Sequence, residues 1–532
     1  MKVRTLTALC LMAHATTPLL AQEQDSLKFS NHFFYQELNY LDNMYAHTSN
    51  PVYLSKNKVK TVADAHLVSF FSKGDFHAID QGKKARELEI NISGLKNFGR
   101  LDVYGHIDYV NGKEYDHRWN NTLLVTETNP FILADSICSD ANTEIFKMSV
   151  AAAYRWNDRF TGALSLSYKT GSFSDQTDPR PKTDAMHFEI NPGAEIKLGT
   201  SHALGISAHV DIFRSDLSHT IVNNYANYTY FIMNGMGDYK INTSNDLGAY
   251  PRDYKGLLYG ASLQWLYARS HSKVSNLLQL AYHTNKEVSE DGGYAFTFKS
   301  GDYYRNDISL YNRLRICNSD NFRQNISIMA QYATDHGDWY DQKKVIDPDH
   351  GNIAQYQILN KSKIMESTRL DAQLTYQADF LRRQLPHLTL TGSVSFRRAD
   401  MKHFSNQVYH QNYNLLGACL GARQHFSIRQ WRMSASVQAF YQRPMGDAQY
   451  ACAEPKLNDA YVAPQFEYDS ATRLGFNAGA EASLPVHLYG YTTWMGLKLY
   501  VSTAWYQGDN KYSHVFDATS RTAVHAAYNI RF

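Results

Sequence analysis

Strict alternation of apolar and polar side chains, sustained for ten to thirteen residues and then broken, recurs from about Val62 to the end of this 532-residue chain. Segment 100–109 sets Leu101, Val103, Gly105, Ile107 and Tyr109 against Asp102, Tyr104, His106 and Asp108. Segment 431–442 sets Trp431, Met433, Ala435, Val437, Ala439 and Tyr441 against Arg432, Ser434, Ser436 and Gln438. Successive side chains of a strand point to opposite faces, so period two is a strand signal. Counting the repeats gives roughly 18 strands, the last at 521–532.

The breaks alternate in length. Short ones fall at 95–99, 157–159, 199–202, 269–273, 318–323, 378–386, 424–430 and 485–490. Long ones fall at 72–86, 112–143, 215–256, 286–307, 335–367, 398–412, 443–471 and 506–520, with a medium one at 171–185. Short turns at one end and long loops at the other predict an all-β fold, a transmembrane antiparallel up-and-down β-barrel. The short turns then face the periplasm, the long loops face outward, and an even strand number leaves both termini in the periplasm. Strands of about 11 residues match the ~9–11 that a tilted strand needs to cross a bilayer; soluble sandwich strands average only ~5–6.

The two faces carry the same message. Aromatics are abundant, with 38 Tyr, 26 Phe and 7 Trp, and they gather at strand ends on the apolar face, as at Tyr154, Trp156, Trp431 and Tyr441. Amphipathic rings belong at the two membrane interfaces. The opposite face carries charges that a dry core would reject and a wet lumen tolerates. Lumen-lining candidates are Arg155, His187, Glu189, Asp211, Arg397, Arg432 and Arg473. Asn276 and Asn312 fall on the lipid face and are misfits there. No segment offers the ~18 apolar residues of a spanning helix. Lys plus Arg number 53 against 51 Asp plus Glu, a balance that argues against a nucleic-acid binder.

Met1–Ala21 reads as a secretory signal: Lys2 and Arg4, the apolar Leu6–Leu11, then Leu19-Leu20-Ala21 before a polar run. That export, with a barrel, predicts the outer membrane of a Gram-negative cell. Residues 22–61 hold Phe33, Phe34, Tyr35, Leu38, Tyr40, Leu41, Met44 and Tyr45, too dense an apolar cluster to stay free in water. They are expected to form a plug or a periplasmic segment, with the barrel over 62–532. At the far end Tyr528, Ile530 and Phe532 share one face of the last strand. A terminal aromatic with alternating apolar residues resembles the signal that the outer-membrane barrel assembly machinery reads.

Chemical motifs are absent. The chain has no G-x-S-x-G and no H-E-x-x-H. Asp116-His117, Asp335-His336 and Asp347-Pro348-Asp349-His350 are loop neighbours, and adjacent residues do not make a coordination sphere. No catalytic residue, metal or cofactor is expected. Cys138 and Cys452 fall in long loops on the same side, where they are able to pair.

The segments Glu87–Ser93 and Arg100–Asn111, Asp178-Pro179-Arg180 and the Phe532 ending resemble an outer-membrane β-barrel family of Bacteroidota, a domain of unknown function. The resemblance runs from about residue 35 to the end and implies the fold, not an activity. Asn50-Pro51 resembles the N-terminus of the long-chain fatty-acid transporter family, which plugs its barrel; Val52 and Tyr53 depart from the small residues expected next. Two functions fit. One is a channel or transporter for a small solute or hydrophobic compound. The other is an accessory barrel whose loops bind a surface lipoprotein, a glycan or a TonB-dependent receptor. In either case outer-membrane lipid and lipopolysaccharide are its surroundings.

Overall fold

Hydrocarbon offers no water to backbone N–H and C=O groups, so a sheet that crosses a membrane has to close on itself. The computed structural model does so. It describes residues 33–532 except 224, 245–250, 270–272, 293–297, 348–352 and 489–490. The barrel strands of the first half are β1 (Thr61–Gly74), β2 (Lys84–Phe98), β3 (Leu101–His117), β5 (Ser139–Arg155), β6 (Phe160–Asp175), β7 (Pro181–Leu198), β8 (His202–His219), β11 (Arg252–Ala268) and β12 (Val274–Asp291). Those of the second half are β13 (Phe298–Ser319), β14 (Phe322–Asp347), β15 (Ile353–Arg382), β16 (Leu385–Phe404), β17 (Val408–Ile428), β18 (Trp431–Pro444), β19 (Arg473–Leu488), β20 (Tyr491–Tyr506) and β21 (Ser520–Arg531). Each pairs antiparallel with its neighbour, and β21 returns to β1 to close an 18-stranded barrel.

Closure is a full ladder. Leu67 faces Tyr528 and Ala65 faces Ile530, and Phe532 exchanges both backbone hydrogen bonds with Ala63. The lipid belt emerges as expected: Ile107, Met148, Trp156, Leu164, Trp265, Leu280 and Tyr441 stand exposed on the outer face. The misfits satisfy one another, since Asn312 Nδ2 donates to Asn276 Oδ1 at 2.9 Å and to the Leu277 carbonyl at 3.2 Å.

Three of the expected long loops are mostly strand. β12 and β13 run deep into 286–307, β14 and β15 into 335–367, and β16 and β17 leave only 405–407 between them. Beyond the bilayer both faces of a strand are wet, so the ladder continues while the alternation that reveals it disappears.

Other outer segments fold back over the mouth. β4 (Leu133–Ala134), β9 (Tyr228–Gly235) and β10 (Asp238–Ser244) form a second, three-stranded sheet, and α2 (Ala463–Ser470) packs beside it. Together they make an apolar cap. Trp119, Ala134, Met233, Leu457 and Val462 form one of its clusters, and Phe466 joins Tyr413 and Leu415 of the wall in another.

At the other end, residues 33–60 lie against the inner wall. α1 (Tyr35–Asp42) has no side-chain N-cap and is held by packing, with Leu38 and Leu41 buried. Two short 3₁₀ turns follow, at Met44–His47 and Pro51–Lys56.

Candidate functional site: two inserted segments and a chamber

The wall makes room for residues 33–60 by omitting side chains. Gly193 and Gly205 face inward at mid-strand, where a Cβ would stand 2.3 Å from Asn50 Oδ1 and 3.1 Å from Asn50 Nδ2. Asn50 fills the slot, donating to the carbonyls of Ala194 and Ile206 at 3.1 Å each and to Gln264 Oε1 at 2.9 Å. Ser49 bonds Ser262 at 2.8 Å, and its carbonyl accepts from Asn191. Charge reinforces the seat. Lys56 pairs with Glu195, whose side chain is 1% exposed, and Arg323 meets Asp42 at 2.5 Å. Arg531 donates to the Phe33 carbonyl and pairs with the buried Asp64 at 3.0 Å. Phe33 packs on Trp494 and Phe34 on His425.

A second segment enters from outside. Residues 118–138 dip into the barrel, led by the fully buried Phe131. Its ring lies on Gly301 and Gly337, where any Cβ would meet it at 2.6 and 3.0 Å. Its carbonyl accepts from Arg252 Nη1 at 3.2 Å and from the Tyr254 hydroxyl at 2.9 Å. Asn129 and Thr126 both bond Glu287, and Thr128 joins Tyr303, Arg305 and Asp335. Leu123, Leu124 and Val125 pack on Phe213 and Tyr254.

What remains is a chamber of 970 Å³ against β15–β21 and β1, on the wall away from residues 118–138. Gln36, Glu37 and Leu41 of α1 bound it below, and its walls include Arg423, Lys498, Asp379, His66 and His525. Arg423 reaches Tyr500 at 3.0 Å and Glu37 at 3.5 Å, while Lys498 lies 3.5 Å from Glu481. Polar amides complete the lining through Gln377, Gln438 and Asn477.

The seven residues predicted for the lumen are spread widely. His187 bonds Asp211 at 2.7 Å and the Leu124 carbonyl at 3.2 Å, beneath the inserted loop; Glu189 stands across the ladder from Asp211. Arg397 and Arg369 converge on Asp371, each at 2.6 Å. Arg155 lies at the periplasmic rim, bonded to the Gly99 carbonyl and 3.6 Å from buried Asp102. Arg432 is the second residue of β18, at the same rim. Arg473 is at the opposite end, donating to the Tyr468 carbonyl at 2.5 Å and lying over the Phe76 and Tyr468 rings. None of the seven lines the chamber. Cys138 and Cys452 are both free, so the loops are not bridged. Among the described residues no cluster of His, Cys, Asp and Glu has the geometry of a metal site.

Residues that hold the two segments escaped the reading of alternation. The signal for them was present. A glycine inside a strand marks a close backbone approach, and Gly193, Gly205, Gly301 and Gly337 are all of this kind.

The cap carries one pH-sensitive element. Burial pushes the Asp469 carboxyl up to about 6, against Gln465 and Arg473, which lower it, and with Glu127 and Asp80 adding to the rise. A raised folded value favours the protonated form. Its contribution to stability is full below about pH 4, is lost as pH rises towards 6, and stays lost above. Hydrogen exchange of residues 463–470, corrected for intrinsic rates, should therefore slow several-fold from pH 7 to pH 5. Asp469→Asn should abolish that difference.

No curated protein matches the chain. Among solved structures, the ferric preacinetobactin receptor BauA of Acinetobacter baumannii is 12% identical, covering 88% of this chain and 80% of its own, at a TM-score of 0.38. The ferric yersiniabactin uptake receptor FyuA of Yersinia pestis is 8% identical over 88% and 80%, at 0.42. The RagAB peptide transporter is 9% identical over 89% and 86%, at 0.44. These are likenesses of large β-barrels only. A family model accounts for nearly all of the described barrel, from Pro51 to Phe532, and the chain belongs to that family of unknown function, DUF6850.

Proposed function

We propose that this barrel is a gated outer-membrane transporter for a small polar solute, with residues 33–60 as its periplasmic gate. The chamber beside the inserted residues 33–60 carries the reading. A structural barrel has no need of a 970 Å³ space lined by Arg423, Lys498, Asp379, Gln377 and Asn477. Mixed charge and amides suit a solute that brings its own polar groups and exchanges with the partners that Arg423 and Lys498 hold in its absence.

Lumen charge then sets selectivity. Arg397 and Arg369 share one acid, Asp371, which leaves a net positive patch on that wall. With the gate removed, Arg397→Glu combined with Arg432→Glu should move the reversal potential in a salt gradient towards cation selectivity. Planar-bilayer recordings measure it. If gate-deleted, well-folded barrels carry no current, the transport reading fails and the accessory reading replaces it; pull-down from intact outer membranes then becomes the informative experiment.

A further inference from the structure

Ladder register fixes the height of side chains on the outer wall of β12–β16. Tyr282, Ile308, Tyr332 and Leu370 form one outward row, the uppermost apolar one on β12–β15, which Arg398 continues on β16. Thr284, Asn306, Thr334, Thr368 and Asp400 form the next row up, with Asp400 3.1 Å from His410. Above them come Lys286, Tyr304, His336, Glu366 and Lys402, and then Asp302, Asp338 and Lys363. Four residues of rise on a strand tilted ~35–45° place the lysine row roughly 10 Å above the last apolar row. That is the depth of lipid head groups, and lysine stems bend towards it.

Cations are in excess there. Asp302 takes Lys286 at 3.2 Å and Lys299 at 3.0 Å, Asp338 takes Lys361 at 2.7 Å, and Glu366 takes Lys363 at 3.2 Å and Lys402 at 3.5 Å. Five ammonium groups thus share three carboxylates. Lys286 and Lys361 also lie over the Tyr304 ring, at 5.2 and 5.3 Å, which gathers their charge in one place. The excess is local. On the adjoining wall, Asp184, Asp216, Asp253 and Glu290 fill a single row across β7, β8, β11 and β12.

We propose that the outer face of β12–β16 seats the phosphorylated head group of a membrane lipid, whose acyl chains lie over Tyr282, Ile308, Tyr332 and Leu370. The phosphate takes up the uncompensated ammonium charge, and the apolar row below takes the hydrocarbon. A free anion would gain only the first.

The purified full-length barrel in a non-ionic detergent should be titrated with bis-phosphorylated lipid A, dephosphorylated lipid A and inorganic phosphate, with bound lipid counted by native mass spectrometry. Bis-phosphorylated lipid A should bind tightly, and more weakly as ionic strength rises. Lys286→Gln with Lys361→Gln and Lys402→Gln should weaken it about a hundredfold. Lys182→Gln with Lys255→Gln, on the acidic wall, should leave it unchanged. Heat-modifiable migration checks that each variant is folded, and Lys402→Gln alone provides a milder variant with a smaller loss. Equal binding by the triple variant, or of dephosphorylated lipid A, overturns the proposal. Inorganic phosphate binding as tightly as the lipid overturns the lipid assignment.

Discussion

Deleting residues 33–57 should convert a closed barrel into a conducting one, raising single-channel conductance in planar bilayers roughly tenfold or more. An 18-stranded barrel is wide enough for a water path unless something fills it. Here residues 33–60 fill the periplasmic half, seated by Asn50, Lys56 and Asp42. The seat on the wall is part polar, with Ser262, Gln264, Asn191 and Glu195 all bonded to the segment, and part apolar, with Ala151 and Ala153 against Leu54 and Leu277 against Met44. Water replaces the polar contacts at modest cost, and the 18-stranded ladder closes without the segment, so the strands should not depend on it. The deletion variant should still fold and still migrate with heat-modifiable mobility. Lys56→Met tests the seat alone: it leaves buried Glu195 uncompensated, worth about 3–5 kcal/mol against the closed state. More frequent openings are expected, and recordings indistinguishable from the intact protein would show that the segment does not gate.

Removing Phe532 should sharply lower the amount of protein in the outer membrane of cells while leaving refolding in detergent intact. A purely thermodynamic view predicts little, because one buried apolar side chain is worth roughly 2–3 kcal/mol. The seam is otherwise extensive: β1 and β21 pair from Asp64–Arg531 to Gly74–Arg521. Beside it, Arg531 ties the last strand to Asp64 and to the Phe33 carbonyl. A severe defect in cells with normal refolding in vitro would assign Tyr528, Ile530 and Phe532 to recognition during assembly. Normal surface abundance of the truncated chain would refute that assignment.

The contrast between Trp431 and Arg432 shows why the fold was legible in the sequence. A strand between lipid and lumen has to alternate, and that alternation is written into every crossing. Asn276 and Asn312 broke the rule because their partner was each other, a diagonal contact that needs the register of β12 and β13. The chamber was less legible. Phe131, Asn50 and Glu195 gain their roles from segments distant in sequence, and no period connects them. Parity set His187 and Asp211 opposite the apolar face, yet could not say that a loop would pack over His187. The cap was hidden for the same reason: short strands and an eight-residue helix carry too few repeats to read.

β14 and β15 are 26 and 30 residues long, far more than a bilayer requires. From Tyr332 in the uppermost apolar row, β14 continues to Asp347, a climb of roughly 40 Å above the hydrocarbon for a tilted strand. The rim of the barrel is therefore lopsided, with a tower on one side and lower walls elsewhere. A macromolecule diffusing towards the cell from that side meets the tower first and is held off from the mouth. If the barrel transports a small solute, as proposed, the solute would pass beneath such a screen, and the rim would sort visitors by size before any binding group is reached.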